Sequence, residues 1–521
     1  MDKKVLLAVV LSAIILFVYP YFLKRYVYTP PVVAPTQTAS AAPAGSGVSA
    51  ATLPAAAKAA SEELTTVETP LIKAVFTNIG GAVKSFELKK YRVSVAKDSP
   101  TVNLSGTVDE GPAFSTFVES GGSKEEVVFK PSATNISVKE GQSAELVFTG
   151  VARDGLRVEK RLVFNGGSYL IKEQTTVVNA SQAQFNGKVE TLLTAGFAGK
   201  DKTGYHVGPI IYTKKRLLRQ TVKQFQPSGD GTVKWLGLEN KYFLSVMIPT
   251  APAGGFSWTS SVPSSVSSNV ALEFPVRNLG AGAGATFSYD VFSGPKEYDL
   301  LVKHDSGLEE AIQFGIFSFM AKPFLVVLNF FEKYIGNYGI AIILLTVLIK
   351  VIFYPLTKHS LTSMRKMQKM QPQMAAIKEK YKDDKEKMNR ELMELYKRHQ
   401  INPVSGCLPM ILQIPVFIAL YEVLYVSIDL RQAPFFFWIR DLSEKDPYYI
   451  SPLLMGATMF VQQKMTPTSA DPAQAKVMLF MPIIFTYMFL KFPSGLVVYW
   501  LANNLLTIAQ QYYIQRMPAK A

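Results

Sequence analysis

Five apolar runs crowd the last third of the chain, at about residues 338–356, 408–427, 450–463, 477–490 and 494–512. Runs of that length and apolarity suit helices surrounded by lipid, where a core of about 30 Å takes roughly 20 residues. A sixth run stands at the other end, in "MDKKVLLAVVLSAIILFVYPYFLKRY", with Val5 to Leu23 between two basic pairs. Tyr19, Pro20, Tyr21 and Phe22 stand where a cleavage site of small residues would lie, so an uncleaved anchor over 1–28 is expected.

Charge in the connections sets the expected direction of each span. Between Leu356 and Pro403 twelve Lys/Arg face six Asp/Glu, so that loop is expected in the cytoplasm. The loop 428–449 has three basic and four acidic residues, as an outside loop should. Threading the runs through these assignments puts both termini in the cytoplasm. Much of the formal net charge of +15 is then topological, and specific nucleic-acid binding is not expected.

The segment between the anchor and the last third divides by composition. Residues 29–64 are largely Pro, Ala, Ser, Thr, Gly and Val, too poor in bulky apolar mass to fold, and read as a flexible linker. From 65 to 306 short β-like runs take over, such as "LRVEKRLVFNGGSYLIKEQTTVVN", whose Asn165-Gly166-Gly167 suits a hairpin turn. Phe287, Tyr289 and Val291 alternate, so an all-β sandwich outside the membrane is expected. Residues 307–336 mix acidic side chains with Phe and Leu around Pro323, and suit an amphipathic helix on the bilayer surface.

Several chemistries find no support. One cysteine, Cys407, excludes an intrachain disulfide; the four histidines form no ligand-spaced pair; and no GxxxxGK[ST] stretch occurs. No catalytic residue, metal or cofactor is expected.

The basic loop has its own pattern. Met364, Met367, Met370, Met374, Ile377 and Tyr381 recur at spacings of three and four, and Met388, Leu392 and Leu395 follow Asp383-Asp384. Two antiparallel amphipathic helices over 358–400 are expected, with Pro372 in a first turn and Asp383 or Asp384 as a cap. The stripes either pack on each other or form a deformable methionine face for varied hydrophobic segments. Basic flanks would face a ribosome, targeting factors or lipid head groups.

Lys350 interrupts "IILLTVLIKVIFYP", with Thr346 one turn away. A charge at a helix centre costs about 2.5–3.5 kcal/mol on insertion scales. Its distance of five residues from Pro355 corresponds to a depth of roughly 8 Å, which allows snorkelling to the cytoplasmic surface. Glu422 lies about 22 Å along its own helix towards the opposite face, so a direct pair is not expected. An unpaired lysine in a wet cavity is the alternative.

Four stretches carry a resemblance: "YPLTKHSLTSMRKMQKMQPQM", "INPVSGCLPMILQIPVFIALYEVLY", "LRQAPFFFWIRDLSEKDPYYISPLLMGATMFVQQKMTP" and "FPSGLVVYWLANNLLTIAQQ". Over about 307–516 the chain resembles the YidC/Oxa/Alb family of membrane protein insertases, and the remainder resembles the Gram-negative bacterial form. The resemblance implies a multi-domain membrane protein with six transmembrane α-helices, made of the N-terminal anchor and a five-helix core over 337–516. It further implies a periplasmic all-β supersandwich, a cytoplasmic helical hairpin and a short tail, 517–521. Also implied is a hydrophilic groove open to cytoplasm and lipid, through which nascent inner-membrane proteins are inserted and helped to fold, alone or beside the Sec translocon.

The family's groove cation falls on Lys350, where many members carry Arg. That change keeps the charge and loses the planar fork. By the same match Thr346, Tyr499 and Trp500 lie on helices that contact the entering segment, and Gln413 and Asn504 are further groove candidates. Two rival functions remain at this point. A secondary transporter would need inverted repeats and broken midplane helices, which the sequence lacks. A membrane-tethered periplasmic carbohydrate-binding protein or enzyme would need a convergent polar set in the β domain, where His206 is the main histidine.

Overall fold

The computed structural model describes residues 61–105, 113–195, 205–213, 216–219, 228–230, 233–250, 257–261, 268–399, 408–465 and 472–516. The expected anchor, the linker through residue 60, Cys407 and the tail 517–521 lie outside the described residues.

Among the described residues from Leu64 to Pro295 the strands form three sheets of nine, six and five strands. Alternation explains them. Along Leu156–Asn165 the even-numbered residues Leu156, Val158, Lys160, Leu162 and Phe164 are buried, while Arg157 is exposed and Glu159 and Arg161 are half-buried. That strand pairs antiparallel with Leu170–Asn179 through the turn read at Asn165-Gly166-Gly167, and both lie in the nine-stranded sheet.

The two smaller sheets cover this large one. Phe76 packs on Phe148 and Phe164, joining the five-stranded sheet to it, and Phe274 stacks on Phe287 at 4.9 Å, joining the six-stranded sheet. A buried polar network crosses the second interface. Lys160 Nζ donates to Phe114 O at 2.8 Å and Thr116 Oγ1 at 3.2 Å, and pairs with Glu173, which accepts from the Tyr289 hydroxyl.

The second half is helical. Helix α1 (Ser318–Ile335) ends at Gly336, whose φ of +70° suits a residue without Cβ. Asn337 then caps α2 (Tyr338–Ile352), its side chain accepting from Ile340 N. The chain bends by 68° into α3 (Tyr354–Lys369). The expected span 338–356 therefore stops short: Pro355 has no N–H for Val351 O, and its ring cannot follow an unbroken helix.

Pro372 does the same further on. The first of the two expected helices is divided at Met370 into α3 and α4 (Gln371–Lys380), and Pro372 stands in the first turn of α4, as expected. Asp384 caps α5 (Lys385–Arg398), accepting from Lys387 N at 3.0 Å. Then come α6 (Leu408–Val426), α7 (Ile450–Met465), α8 (Pro472–Phe489) and α9 (Ser494–Arg516).

Among the described residues no single helix is long and apolar enough to cross a membrane; α2 with α3 passes that test only as a bent pair. The outward faces are nonetheless apolar at helical spacing. Leu453, Leu454, Phe460 and Val461 are exposed on α7, and Leu479, Phe480, Ile483, Ile484 and Tyr487 on α8. On α1, Phe319, Val326, Phe330 and Tyr334 are exposed while Ala321, Leu325 and Leu328 are buried.

The helices run alternately between two ends. The loop after α6 meets the β domain, where Arg431 donates to Arg92 O at 2.6 Å and Val93 O at 3.1 Å, and Gln432 donates to Arg92 O at 2.9 Å. Ser494, at the start of α9, donates to Glu444 O in the same loop. At the other end Arg365 of α3 donates to Ile514 O of α9, and Gln511 donates to Met465 O, the last residue of α7.

Candidate functional site: the polar seam of the helical core

Lys350 lies two residues before the end of α2, on the side away from the β domain. Its ammonium donates to Thr507 Oγ1 on α9 at 2.8 Å, and Thr507 in turn donates to Asn503 O at 2.6 Å. No carboxylate among the described residues pairs with it. The lysine has a neutral hydroxyl partner on a neighbouring helix. Thr507 went unrecognised in the sequence. The spacing of Asn503, Thr507 and Gln511, every fourth residue on one apolar helix, was the available signal.

Glu422 is elsewhere. A Cβ on Gly315 would lie 3.0 Å from Glu422 Oε1, which puts this carboxyl beside the segment leading into α1.

The other candidates divide between packing seams and partly open positions. Thr346 is buried at 1% exposure and donates to Ile342 O at 2.7 Å, so its hydroxyl is spent on its own helix. Tyr499 is equally buried, its hydroxyl accepting from Gln413 Nε2. Asn504 is buried and donates to Thr458 Oγ1 of α7 at 3.3 Å. Trp500 is half-buried, with ring centroids 4.9 Å from Phe417 and 5.0 Å from Phe489. One helix, α9, therefore reaches α2, α6, α7 and α8 through successive side chains. Lys350, Gln413 and Trp500 keep partial exposure; Thr346, Tyr499 and Asn504 do not.

The methionine stripe is also split. Met370 and Met374 are buried, with Leu392 of α5, and Tyr396 donates to Met374 Sδ at 3.8 Å. That part is a packing seam between α4 and α5. Met364, Met367, Ile377 and Tyr381 remain half-buried, and Lys380 and Lys387 lie over the Tyr381 ring at 5.3 and 5.4 Å.

In the β domain the polar groups around His206 satisfy one another. Glu239 is buried between Arg219, at 2.6 Å, and Lys296. Burial pushes its carboxyl up, and the two cations overcome this and hold it below the usual range. Burial also lowers His206, whose Nε2 lies 3.1 Å from Pro209 O, and brings Lys296 down to about 8. Arg219 further donates to Ala311 O, tying this cluster to the segment before α1. Among the described residues no group of three His, Cys, Asp or Glu side chains could hold a metal ion.

Both halves of the chain match known sequences. A family profile described as 60Kd inner membrane protein matches residues 330–521, and one described as YidC periplasmic domain matches residues 64–327. The protein called Membrane protein insertase YidC from Syntrophus aciditrophicus is 43% identical over 550 residues, covering 99% of this chain and 100% of that one. Its namesake from Geobacter sulfurreducens is 44% identical over 457 residues, with 86% and 85% covered. A crystal structure of an active YidC insertase overlaps 87% of this chain and 95% of its own at 19% identity and a TM-score of 0.39, too low to carry weight. The sequence matches decide the matter, and on them the chain belongs to the YidC family of membrane protein insertases.

Proposed function

We propose that the protein is an inner-membrane insertase and chaperone that catalyses no covalent reaction. In this reading α2, α6, α7, α8 and α9 are the five spans of the core, preceded by the N-terminal anchor. The β domain and the 428–449 loop are periplasmic, α1 lies along the outer bilayer surface, and α4 with α5 forms the cytoplasmic hairpin. Support comes from the apolar outward faces and from the alternation of helix ends between the β domain and the hairpin.

The observation that carries the mechanism is the Lys350–Thr507 bond near the hairpin end of a bundle with apolar outer faces. A cation with only a neutral partner there favours water and polar or acidic chain segments in the inner half of the membrane. A nascent protein's hydrophilic tail would enter beside Lys350, with Gln413 and Trp500 as further contacts, while its apolar segment moves past the outer faces into lipid. Partitioning of about 20 apolar residues can drive that step, and a membrane potential can pull an acidic tail outward. The basic hairpin would meet the ribosome or targeting factors, and the Sec translocon would act beside the core on some clients.

Site-specific crosslinking tests this reading. A stalled nascent membrane protein should crosslink to probes at positions 350, 413 and 500 and, at an earlier stage, at 367. Deleting residues 65–295 should leave insertion working; loss of all activity with an intact helical core would favour a function seated in the β domain.

A further inference from the structure

We propose that the cleft between the β domain and the loop after α6 holds the anionic head group of one phospholipid, whose acyl chains lie along the exposed face of α7. The cleft measures about 770 Å³, within the range of small-ligand sites. The inference rests on reading α6 and α7 as spans, which puts this loop at the membrane surface.

Charge favours an anion. Arg431, Arg440 and Lys445 line the cleft with Asp441 and Glu444. Arg431 is already committed to Arg92 O and Val93 O, and Asp441 Oδ1 accepts from the backbone N–H and hydroxyl of Ser443. Arg440 and Lys445 are both exposed and form no ion pair among the described residues, and with Arg431 they make three cations against the two carboxylates that line the cleft. Trp438 and Tyr448 stand beside them, the aromatic types that sit at membrane interfaces.

Backbone conformation points the same way. Phe437 has φ of +56° and Tyr449 +59°, values that bulky residues rarely adopt. Phe437 is nevertheless 91% exposed, stacked on its neighbour Trp438 and tilted against Phe436. A strained aromatic ring that buries almost nothing within its own chain suits burial in something else. Continuity identifies it as lipid: Tyr448, Tyr449 and Ile450 are exposed and lead directly into Leu453 and Leu454 on the apolar face of α7.

The test uses the full chain in phosphatidylcholine nanodiscs with a trace of phosphatidylglycerol carrying a photoreactive acyl chain, and maps labelled residues by mass spectrometry. Label is expected on residues 437–454, competed by unlabelled phosphatidylglycerol but not by extra phosphatidylcholine or by glycerol phosphate. Arg440→Gln with Lys445→Gln should weaken that competition about fivefold to thirtyfold, the effect of one to two surface cations. The same variant should leave labelling of the α8 face at Leu479–Tyr487 unchanged.

Equal competition by both lipids would overturn the proposal, as would competition by glycerol phosphate, which would mean an adventitious ion only. A photoprobe at position 437 that captures a polypeptide rather than lipid in native membranes would also overturn it. Absence of label from the α8 face would instead sink the span reading on which the proposal rests.

Discussion

Lys350 and Thr507 are joined by a 2.8 Å hydrogen bond from α2 to α9, so the ammonium has a neutral partner and, among the described residues, no acid. Thr507→Val keeps the shape and removes the acceptor, at a cost of about 1.5–3 kcal/mol for a bond to a charged group. Insertion of a client with an acidic tail should fall, but less than in Lys350→Leu, and Thr507→Ser should restore it. A Thr507→Val protein as active and as heat-stable as wild type would mean that the bond holds nothing in place.

Met367 and Met370 should separate packing from client contact. Met370 is buried, so Met370→Ala should lower hairpin stability by roughly 2–5 kcal/mol. Met367 is half-buried on α3, so Met367→Ala should reduce insertion while changing thermal unfolding little. If both variants lose stability and activity in parallel, the whole stripe is a packing seam.

The Lys160–Glu173 pair lies between two sheets with both side chains almost fully buried. Removing only the ammonium, as in Lys160→Met, leaves Glu173 beside Tyr289 without its cation and should cost about 3–5 kcal/mol in β-domain unfolding. Lys160→Met with Glu173→Gln should recover much of that. Urea unfolding checks both, and a single variant as stable as wild type would contradict the account.

Asp429 gives a pH signature. Burial, with a smaller contribution from Glu297 and Asp299, raises its carboxyl to about 6 from 3.8, while the Ser427 hydroxyl bond opposes the rise. The folded state therefore holds a proton between about pH 4 and 6 that the unfolded chain has released. Its contribution makes stability increase as pH falls through that window. Asp429→Asn should accordingly stabilise the protein at pH 7.5, by up to about 3 kcal/mol, with the gain vanishing near pH 4. Melting curves at the two pH values decide it; equal effects at both would contradict the assigned cause.

What the sequence made legible was what repeats locally. The β alternation at Phe287, Tyr289 and Val291, the hairpin turn at Asn165-Gly166-Gly167, the cap at Asp384 and the helical runs all follow from short periods and turn chemistry. Pro372 was legible as a first-turn residue, whereas the bend before Pro355 was masked by the helical periodicity on either side. What long-range packing decides stayed hidden. Thr507 is 157 residues from Lys350, and Arg431 is 339 residues from the Arg92 carbonyl that it binds. Burial of Thr346, Tyr499 and Asn504 could not be foreseen either, because helical spacing gives a face and not its neighbour.

The most direct test of the central claim, that Lys350 acts as a positive charge accessible to polar client segments, is an insertion assay in cells depleted of the native protein. Clients with acidic, neutral and basic translocated tails are compared across Lys350 variants expressed at equal level. Lys350→Arg should retain activity, Lys350→Leu should fail most on acidic tails, and Lys350→Glu should be worse still. Full activity of Lys350→Leu on every client would contradict the account and leave Lys350 as a structural or snorkelling residue.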